Sequence, residues 1–147
     1  MPIGGGVSGA GNPVGGSNPA GTSGGLNFIG DHAYGYAGQK TAVSGTDAVL
    51  FDFSTGNYYV VVEFQMPFDK TGLANRESVG YTIKVNGEII ARCEQEFLTA
   101  GAVADYVMFP VPLLLPPNSH IEVLADTDQA SDWVTTGIII GRVYVDA

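Results

Sequence analysis

Large apolar residues alternate with polar ones along much of the chain after residue 30, and this two-residue period predicts β-strands. In the clearest run, residues 58–66, every second side chain is apolar, while Glu63 and Gln65 fall on the other face. Pro67 ends this run, because proline lacks the amide hydrogen that a central strand donates. Seven further runs, separated by turn residues, lie at 36–43, 47–53, 79–85, 88–95, 104–111, 120–125 and 134–145.

The dipeptide Asn86-Gly87 lies between two apolar runs and predicts a β-hairpin. A two-residue turn would place three charged side chains on the same face as Tyr81 and Ile83. A three-residue loop, residues 85–87, sets Lys84 opposite Glu88 and Ile83 opposite Ile89, and it keeps that face apolar. We therefore predict the three-residue loop, with Gly87 in a left-handed conformation.

Eight strands with no sustained 3.6-residue period predict an all-β protein. Their uneven lengths and longer crossings favour an eight-stranded antiparallel jelly-roll β-sandwich over an up-and-down barrel. An immunoglobulin-type sandwich is the rival, but the chain lacks the Cys-Trp-Cys pattern of that fold. Leu113–Leu115 lies between prolines and is expected to be irregular, and Gly141 is expected to mark a bulge or a close approach of two strands.

The beginning of the chain has a different composition. Residues 1–25 contain ten glycines and no charged side chain, which predicts an extended arm and not a regular element. We divide the chain into an extended Gly-rich N-terminal arm, residues 1–30, and a jelly-roll β-sandwich, residues 31–147. The arm either folds back on its own domain or laces into a neighbouring subunit, and we favour the second. Its predicted contact residues are Pro2, Ile3, Val7, Pro13, Val14, Pro19, Leu26 and Phe28.

The charge of the chain narrows the choice of partners. Fifteen acidic against six basic residues give a net charge of −9, which would repel nucleic acid and anionic lipid. No apolar run approaches the length of a membrane span, and no secretory leader is expected. We predict neither nucleic acid nor a membrane as a partner.

Catalytic and cofactor motifs are missing from the sequence. The single cysteine, Cys93, excludes an internal disulfide, and the two histidines lie near predicted turns away from it. The glycine-rich arm contains no Gly-Lys-Ser/Thr, and the chain contains no Gly-x-Ser-x-Gly. We predict that the protein is not an enzyme and has no cofactor.

Two weaker patterns surround the only tryptophan, Trp133. Asp126, Asp128 and Asp132 are candidate calcium ligands, although the EF-hand spacing fails and a solvated acidic turn is the favoured interpretation. Trp133, with Tyr58 and Tyr59, is a candidate platform for a sugar ring. A glycan is therefore a possible partner without further support.

The last predicted strand is apolar on both faces, in the segments 138–140 and 143–145. A strand of this kind is buried on both sides, which in a single sandwich requires another subunit or a covering arm. On this ground we add Ile139 and Tyr144 to the predicted contact set. Leu114 joins them because it lies in an apolar segment between prolines, and Trp133 because a tryptophan that enters a strand favours core or interface packing over sugar binding.

Together, the neutral Gly/Pro/Ser/Asn arm, the eight strands and the closing segment Ile138–Val145 resemble the single-jelly-roll capsid and capsid-decoration (cement) proteins of viruses. The resemblance implies a virion structural protein that stabilises the shell through contacts with capsid subunits or copies of itself, commonly as a homotrimer. The arm lacks the Arg/Lys-rich character of genome-condensing arms, which favours the outer surface of the capsid. The alternative is a carbohydrate-binding or receptor-binding jelly-roll module.

Overall fold

The computed structural model describes residues 25–29, 31–68, 77–97, 106–107, 110–128 and 133–144. Within these ranges the chain forms eleven β-strands and no helix. The strands are Asn27–Ile29 (β1), His32–Ala42 (β2), Ala48–Ser54 (β3), Tyr59–Gln65 (β4), Pro67–Phe68 (β5), Glu77–Val85 (β6), Glu88–Phe97 (β7), Tyr106–Val107 (β8), Val111–Leu115 (β9), His120–Thr127 (β10) and Trp133–Tyr144 (β11).

The strands form two antiparallel sheets that enclose one core. The larger sheet has the order β1-β2-β11-β4-β9, and the short strands β5 and β8 extend it beside β11. The smaller sheet has the order β3-β10-β6-β7. Along the chain, the β6–β7 hairpin is the innermost pair of strands. Around it β4 pairs with β9, β3 with β10 and β2 with β11, which is the nested pairing of a jelly roll. The predicted all-β jelly-roll sandwich is confirmed, with β1, β5 and β8 as short additions.

The sandwich begins before the predicted boundary between residues 30 and 31. Leu26 is fully buried in the core, and β1 pairs with β2. The Gly25 carbonyl packs against Gly35 so closely that a Cβ added there would lie 2.7 Å from the carbonyl oxygen. Residues 25–29 therefore belong to the folded domain. Residues 1–24 of the predicted arm lie outside the described residues, and the arm stays a prediction.

The predicted three-residue hairpin loop is wrong. Val85 pairs directly with Glu88, so the turn has two residues. Asn86 and Gly87 have φ values of 53° and 85°, which is the pattern of the type I′ turn that Asn-Gly favours. The turn is also tied to the neighbouring strand β10, because His120 N donates to Asn86 Oδ1 at 2.8 Å.

A bulge just beyond this turn restores the apolar face. Lys84 pairs with Ile89, but the next residue, Ile83, pairs with Ala91, so Ile90 is the extra residue of the bulge. The bulge moves the register by one residue and thereby returns Ala91 to the same face as Ile83. The face that includes Tyr81 and Ile83 therefore stays apolar through a two-residue turn followed by a bulge, and not through a three-residue loop.

Of the strand predicted at residues 104–111, the described residues include Tyr106–Val107, which form β8 and pair with β5, and Val111, where β9 begins. Regular pairing covers Val111–Leu115, and the segment expected to be irregular is the strand β9 itself. Pro112 fits there because β9 is the outermost strand on its side of the described sheet, where a missing amide hydrogen breaks no ladder bond. Leu115 points into the core, and Leu114 points outward.

The clearest predicted apolar face fills the centre of the core. Val60, Val62, Phe64 and Met66 are each at most 1% exposed, as the alternation over residues 58–66 predicts. Complete burial of side chains of this size contributes about 1.5–3 kcal/mol each. The strand β4 therefore anchors the larger sheet to the core.

Trp133 joins the two sheets. Its ring packs edge-on against Tyr81 of the smaller sheet, with centroids 5.4 Å apart and an interplanar angle of 63°. The Tyr81 hydroxyl lies 2.5 Å from Thr135 Oγ1, and it donates to the Pro67 carbonyl at 3.3 Å. Burial raises the pKa of Tyr81 far above its ordinary value, although the hydrogen bond with Thr135 acts in the opposite direction. Tyr81 is therefore a neutral, buried hydrogen-bonding group.

Candidate interaction surface

The outward side of the larger sheet is an extended, largely uncharged surface. Along β11 the buried and outward positions alternate, so that Ile139 and Val143 enter the core while Ile138 and Ile140 point away from it. We call this outward side the apolar face. It consists of His32, Tyr34, Tyr36, Tyr59, Val61, Glu63, Gln65, Pro112, Leu114, Ile138, Ile140, Arg142 and Tyr144.

Most of the large hydrophobic side chains that are exposed in the described part of the protein lie on this face. Nine such side chains are exposed, and five of them belong to the apolar face: Tyr36, Val61, Leu114, Ile140 and Tyr144. The strand register makes them neighbours, since Val61 lies beside Leu114 on one side and beside β11 on the other. A contiguous exposed apolar patch of this kind marks a contact site on a soluble protein.

Four residues at the centre of the apolar face form a square with a definite charge pattern. Ile140 pairs with Glu63, and the next outward residue of β11, Arg142, pairs with Val61. One diagonal of the square is therefore apolar, from Ile140 to Val61. The other joins a carboxylate to a guanidinium, from Glu63 to Arg142.

An open groove of about 570 Å³ lies across this square and continues toward Tyr34 and Tyr144. Beneath it, β4 and β11 approach closely at Gly141, where an added Cβ would overlap the Val61 carbonyl oxygen and lie 2.8 Å from Val62 Cα. The predicted close approach at Gly141 is confirmed. No larger residue fits there without separating the two strands.

A small polar cluster borders the groove. Arg142 Nη1 lies 3.7 Å from one carboxylate oxygen of Asp31, and His32 Nε2 lies 3.6 Å from the other. Glu63 Oε1 accepts a hydrogen bond of 2.7 Å from Gln65 Nε2. Of these side chains, Arg142 and Glu63 belong to the apolar face and balance each other, while Asp31 adds a second carboxylate at its border.

The outward side of the smaller sheet, which we call the acidic face, differs in character. It presents five carboxylates and two permanent cations, namely Asp52, Glu94, Glu96, Glu122 and Asp126 with Lys84 and Arg92. Arg92 Nη2 lies 3.2 Å from Asp126 and 3.7 Å from Glu94. Partial burial raises the pKa of Asp126 above its ordinary value, and the nearby Arg92 guanidinium opposes this shift.

The candidate calcium ligands have other partners. Asp126 faces Arg92, and Asp128 Oδ1 accepts a hydrogen bond of 2.5 Å from Ser78 N, where it ties the end of β10 to β6. Asp132 lies outside the described residues. Among the residues that are described, no three His, Cys, Asp or Glu side chains come together as a metal site.

The predicted contact residues fall into four groups. Leu114 and Tyr144 are exposed on the apolar face. Leu26, Trp133 and Ile139 are instead core residues, at most 2% exposed, and we withdraw them as contacts for another chain. Phe28 lies in β1. The remaining six, Pro2, Ile3, Val7, Pro13, Val14 and Pro19, lie outside the described residues.

Burial of Trp133 also weakens the predicted sugar platform. A ring that packs against Tyr81 inside the sandwich is not available to stack on a saccharide. Tyr58 and Tyr59 are each half-buried, and Tyr58 packs against the core. The glycan alternative stays a prediction that has lost its main residue.

Val61, Ile140 and Tyr36 were absent from the predicted contact set, although two of them carried a signal. Val61 falls on the same side of its strand as Glu63 and Gln65, which marks it as outward. Ile140 belongs to the two-sided apolar segment, but sequence alone does not say which side of that strand faces the core. Tyr36 lies at the start of a predicted strand whose alternation is too weak to orient it.

Comparison with known proteins gives a fold and no family. No family model matches the chain, and no curated protein matches its sequence. None of the described residues forms a helix long and apolar enough to cross a bilayer.

Among solved structures, the chain is similar to Eiger TNF from S. frugiperda, at 11% identity and a TM-score of 0.50 over 80% of this chain and 94% of that one. It is also similar to a chain of T=1 particles derived from infectious bursal virus, at 13% identity and a TM-score of 0.48, over 90% of this chain and 37% of that one. For the VP2 subviral particle of infectious bursal disease virus the identity is 13% and the TM-score 0.46, over 79% and 34%. The chain spans about a third of these viral chains, and the likeness to Eiger TNF shows a shared fold.

Proposed function

We propose that this chain is a structural subunit of a virion shell, either a capsid-decoration (cement) protein or a small jelly-roll capsid subunit. In this role it acts through contacts with capsid subunits or copies of itself, and not as an enzyme. The main support is the apolar face, where five exposed large hydrophobic side chains lie together on a sheet whose central strand is apolar on both sides. A protein that worked alone in water would gain nothing from exposing them.

Charge supports a position away from a genome. The chain has a net charge of −9, and the acidic face carries five carboxylates against two permanent cations. Phosphate backbones repel such a surface. We therefore place the protein on the outer surface of the virion, with its acidic face toward solvent and its apolar face in the contact.

The arm supplies a second contact in this proposal. Its 24 residues before Gly25 have no charged side chain, and a fully extended chain of that length spans up to about 80 Å. That reach is sufficient to cross a neighbouring subunit of this size. Ile3, Val7 and Val14 are the apolar side chains that would anchor it.

Sedimentation of the purified full-length chain, combined with negative-stain electron microscopy, tests the assembly. A shell subunit is expected to form closed particles, whereas a decoration protein is expected to stop at a small oligomer, with a homotrimer of three 15.3-kDa chains as the predicted size. A chain that stays monomeric up to about 100 μM would contradict a shell subunit and the predicted homotrimer, because standard subunit contacts hold at far lower concentrations, and would leave only a decoration protein that binds capsid subunits.

The arm is tested by deleting residues 1–24 and keeping Gly25 and Leu26, which belong to the fold. We expect the deleted protein to keep its thermal midpoint and lose its largest assembly. The matched control replaces Ile3, Val7 and Val14 by serine, which preserves the length and charge of the arm. Equal assembly by all three proteins would remove the arm from the proposal and leave the apolar face as its basis.

A further inference from the structure

We infer that the apolar face binds the same face of a second copy of this chain, related to it by a two-fold axis that runs along the Ile140–Val61 diagonal. This inference rests on the proposed function and names one contact within the assembly. A cyclic trimer contains no two-fold contact, so the predicted homotrimer fits this inference only where two trimers join through this face. It commits to a self-complementary, isologous contact, in which each residue pair occurs twice.

The charge pattern of the central square is the first argument. Glu63 and Arg142 occupy opposite corners, and Ile140 and Val61 occupy the other two. Rotation by 180° about the apolar diagonal places Arg142 of one copy over Glu63 of the other, and the reverse. The same rotation places Ile140 on Ile140 and Val61 on Val61, so that apolar meets apolar and each charge meets its opposite.

The present partners of these two charges leave them able to form such a contact. Glu63 accepts a hydrogen bond from the neutral side chain of Gln65, and within the described residues no basic group pairs with it. Arg142 is 58% exposed and lies 3.7 Å from Asp31, a distance longer than a close ion pair. In the proposed contact, each Arg142 would give up its long contact with Asp31 and form an ion pair with Glu63 of the other copy, beside apolar side chains.

Net charge is the second argument. Two copies with a charge of −9 each repel one another over most orientations. The apolar face holds one carboxylate and one guanidinium of its own, so the only excess charge that two copies bring to this contact is the Asp31 carboxylate at the border of each. A contact through the acidic face would set five carboxylates against five.

The size of the face is the third argument. Strands lie about 4.8 Å apart and rise about 3.3 Å per residue, so β2, β11, β4 and β9, with 11, 12, 7 and 5 residues, cover roughly 550 Å² in projection. Two such faces would together bury about 1,100 Å², which is the size of a small but specific protein contact. The groove at Gly141 gives protruding side chains such as Leu114 and Tyr144 a place to enter.

Two isoleucines with almost the same exposure provide the test. Ile140 is 44% exposed on the apolar face, and Ile90 is 46% exposed at the hairpin bulge of the other sheet. We expect Ile140→Glu to weaken self-association at least about 100-fold in sedimentation equilibrium, because it sets two carboxylates against each other at the axis. Ile90→Glu adds the same charge and is expected to change the dissociation constant less than about 3-fold.

Charge reversal sharpens the test. Glu63→Arg and Arg142→Glu alone should each weaken association at least about 10-fold, and the double variant should restore it, because the reversed charges again meet their opposites. Circular dichroism and thermal unfolding confirm that each variant is folded.

Cysteine cross-linking locates the axis independently. In a Cys93→Ala background, Val61→Cys is expected to form a disulfide-linked dimer under mild oxidation, and Ile90→Cys is not. A wild-type chain that assembles while Ile140→Glu and Ile90→Glu behave alike would overturn this inference and leave the proposed function standing. A closed trimer with no larger species would overturn it as well, and a strictly monomeric wild-type chain would overturn both this inference and the self-assembly part of the proposed function.

Discussion

The two outward sides of the sandwich are built by the same alternation of side chains, yet they present opposite chemistry. On the apolar face, the outward positions of β4, β9 and β11 hold valine, leucine, isoleucine and tyrosine, with two charges that balance. On the acidic face, the outward positions of β7 and β10 hold four carboxylates and Arg92, beside Ile89, His120 and Leu124. Only the acidic face follows the ordinary pattern of an antiparallel sheet with one solvated side.

This difference in composition indicates which side of the sandwich would contact a partner. An acidic, well-hydrated sheet keeps the protein soluble and discourages random contacts through that side. The opposite sheet then becomes the side on which association is favourable. The following predictions test whether the two faces differ in stability and electrostatics as they differ in composition.

The largest loss of stability is expected at Trp133, which packs against the opposite sheet inside the core. Trp133→Ala removes the ring that packs against Tyr81 between the sheets, and it should lower the free energy of unfolding by about 3–5 kcal/mol. Tyr144→Ala, at an aromatic residue that is 49% exposed on the apolar face, should cost less than about 1 kcal/mol. Chemical denaturation measures both, and equal losses would contradict the buried position of Trp133.

The glycines beneath the two faces should respond differently. Gly141→Ala on the larger sheet drives a Cβ into the backbone of Val61 and Val62, and should cost about 1–3 kcal/mol. Gly80→Ala on the smaller sheet places its Cβ mainly against the Asp126 carboxylate, a side chain that can turn away, so its cost should be smaller.

Gly38→Ala is the control for both glycines, since an added Cβ meets nothing within 4 Å there. We expect its unfolding free energy to equal that of the wild type or to exceed it slightly. If Gly80→Ala proved more destabilising than Gly141→Ala, the close approach of β4 and β11 would not be the more rigid feature.

The contributions of Arg92 and Arg142 to stability should differ in size and in their dependence on salt concentration. Arg92→Ala leaves Asp126 and Glu94 facing each other without their cation, and should cost about 0.5–1 kcal/mol at low ionic strength. Arg142→Ala removes only a 3.7 Å contact with Asp31 and should cost less. Thermal unfolding in low salt and in about 1 M NaCl tests this, because screening should abolish most of the Arg92 effect. A cost for Arg92→Ala that does not change with salt would indicate lost packing instead.

The smallest effect concerns the pH dependence of Asp126. Burial raises its pKa in the folded protein, so the folded state holds this proton more tightly than the unfolded chain does. The resulting stabilisation is present below the unfolded pKa and is lost as pH rises through the folded value. Asp126→Asn should therefore raise the thermal midpoint relative to the wild type near pH 7, with a gain that shrinks toward pH 3. A gain that is constant over this range would exclude ionisation as its cause.

The fold could be predicted because the alternation of residues 58–66 and the hairpin signal at Asn86-Gly87 are local. Register was harder, since it depends on where a bulge absorbs one residue, and the exposed Ile90 gave no sequence sign of being the extra one. The strand Val111–Leu115 was missed because prolines usually end strands. Its tolerance of Pro112 depends on an outer position in the sheet, which only the topology reveals.

The candidate surface could be predicted in part. Two-sided apolar character in β11 pointed to a contact, but the sequence does not distinguish the inward Ile139 from the outward Ile140. For Trp133 the sequence favoured core or interface packing without separating the two, since its position between the sheets depends on Tyr81, more than 50 residues away in the chain. The charge square was not visible at all, because it requires the register between two distant strands.

The nested strand pairing has a consequence for the timing of synthesis. β11 lies between β2 and β4, and among the described strands it is the last to leave the ribosome. Until it inserts, the outward side chains of β2 and β4 belong to separate ribbons, and the central square does not exist. Because chains emerge at about 5–20 residues per second, a nascent protein spends seconds without this surface. The apolar face is therefore completed last, so the proposed contact through it can form only between chains whose β11 is already in place.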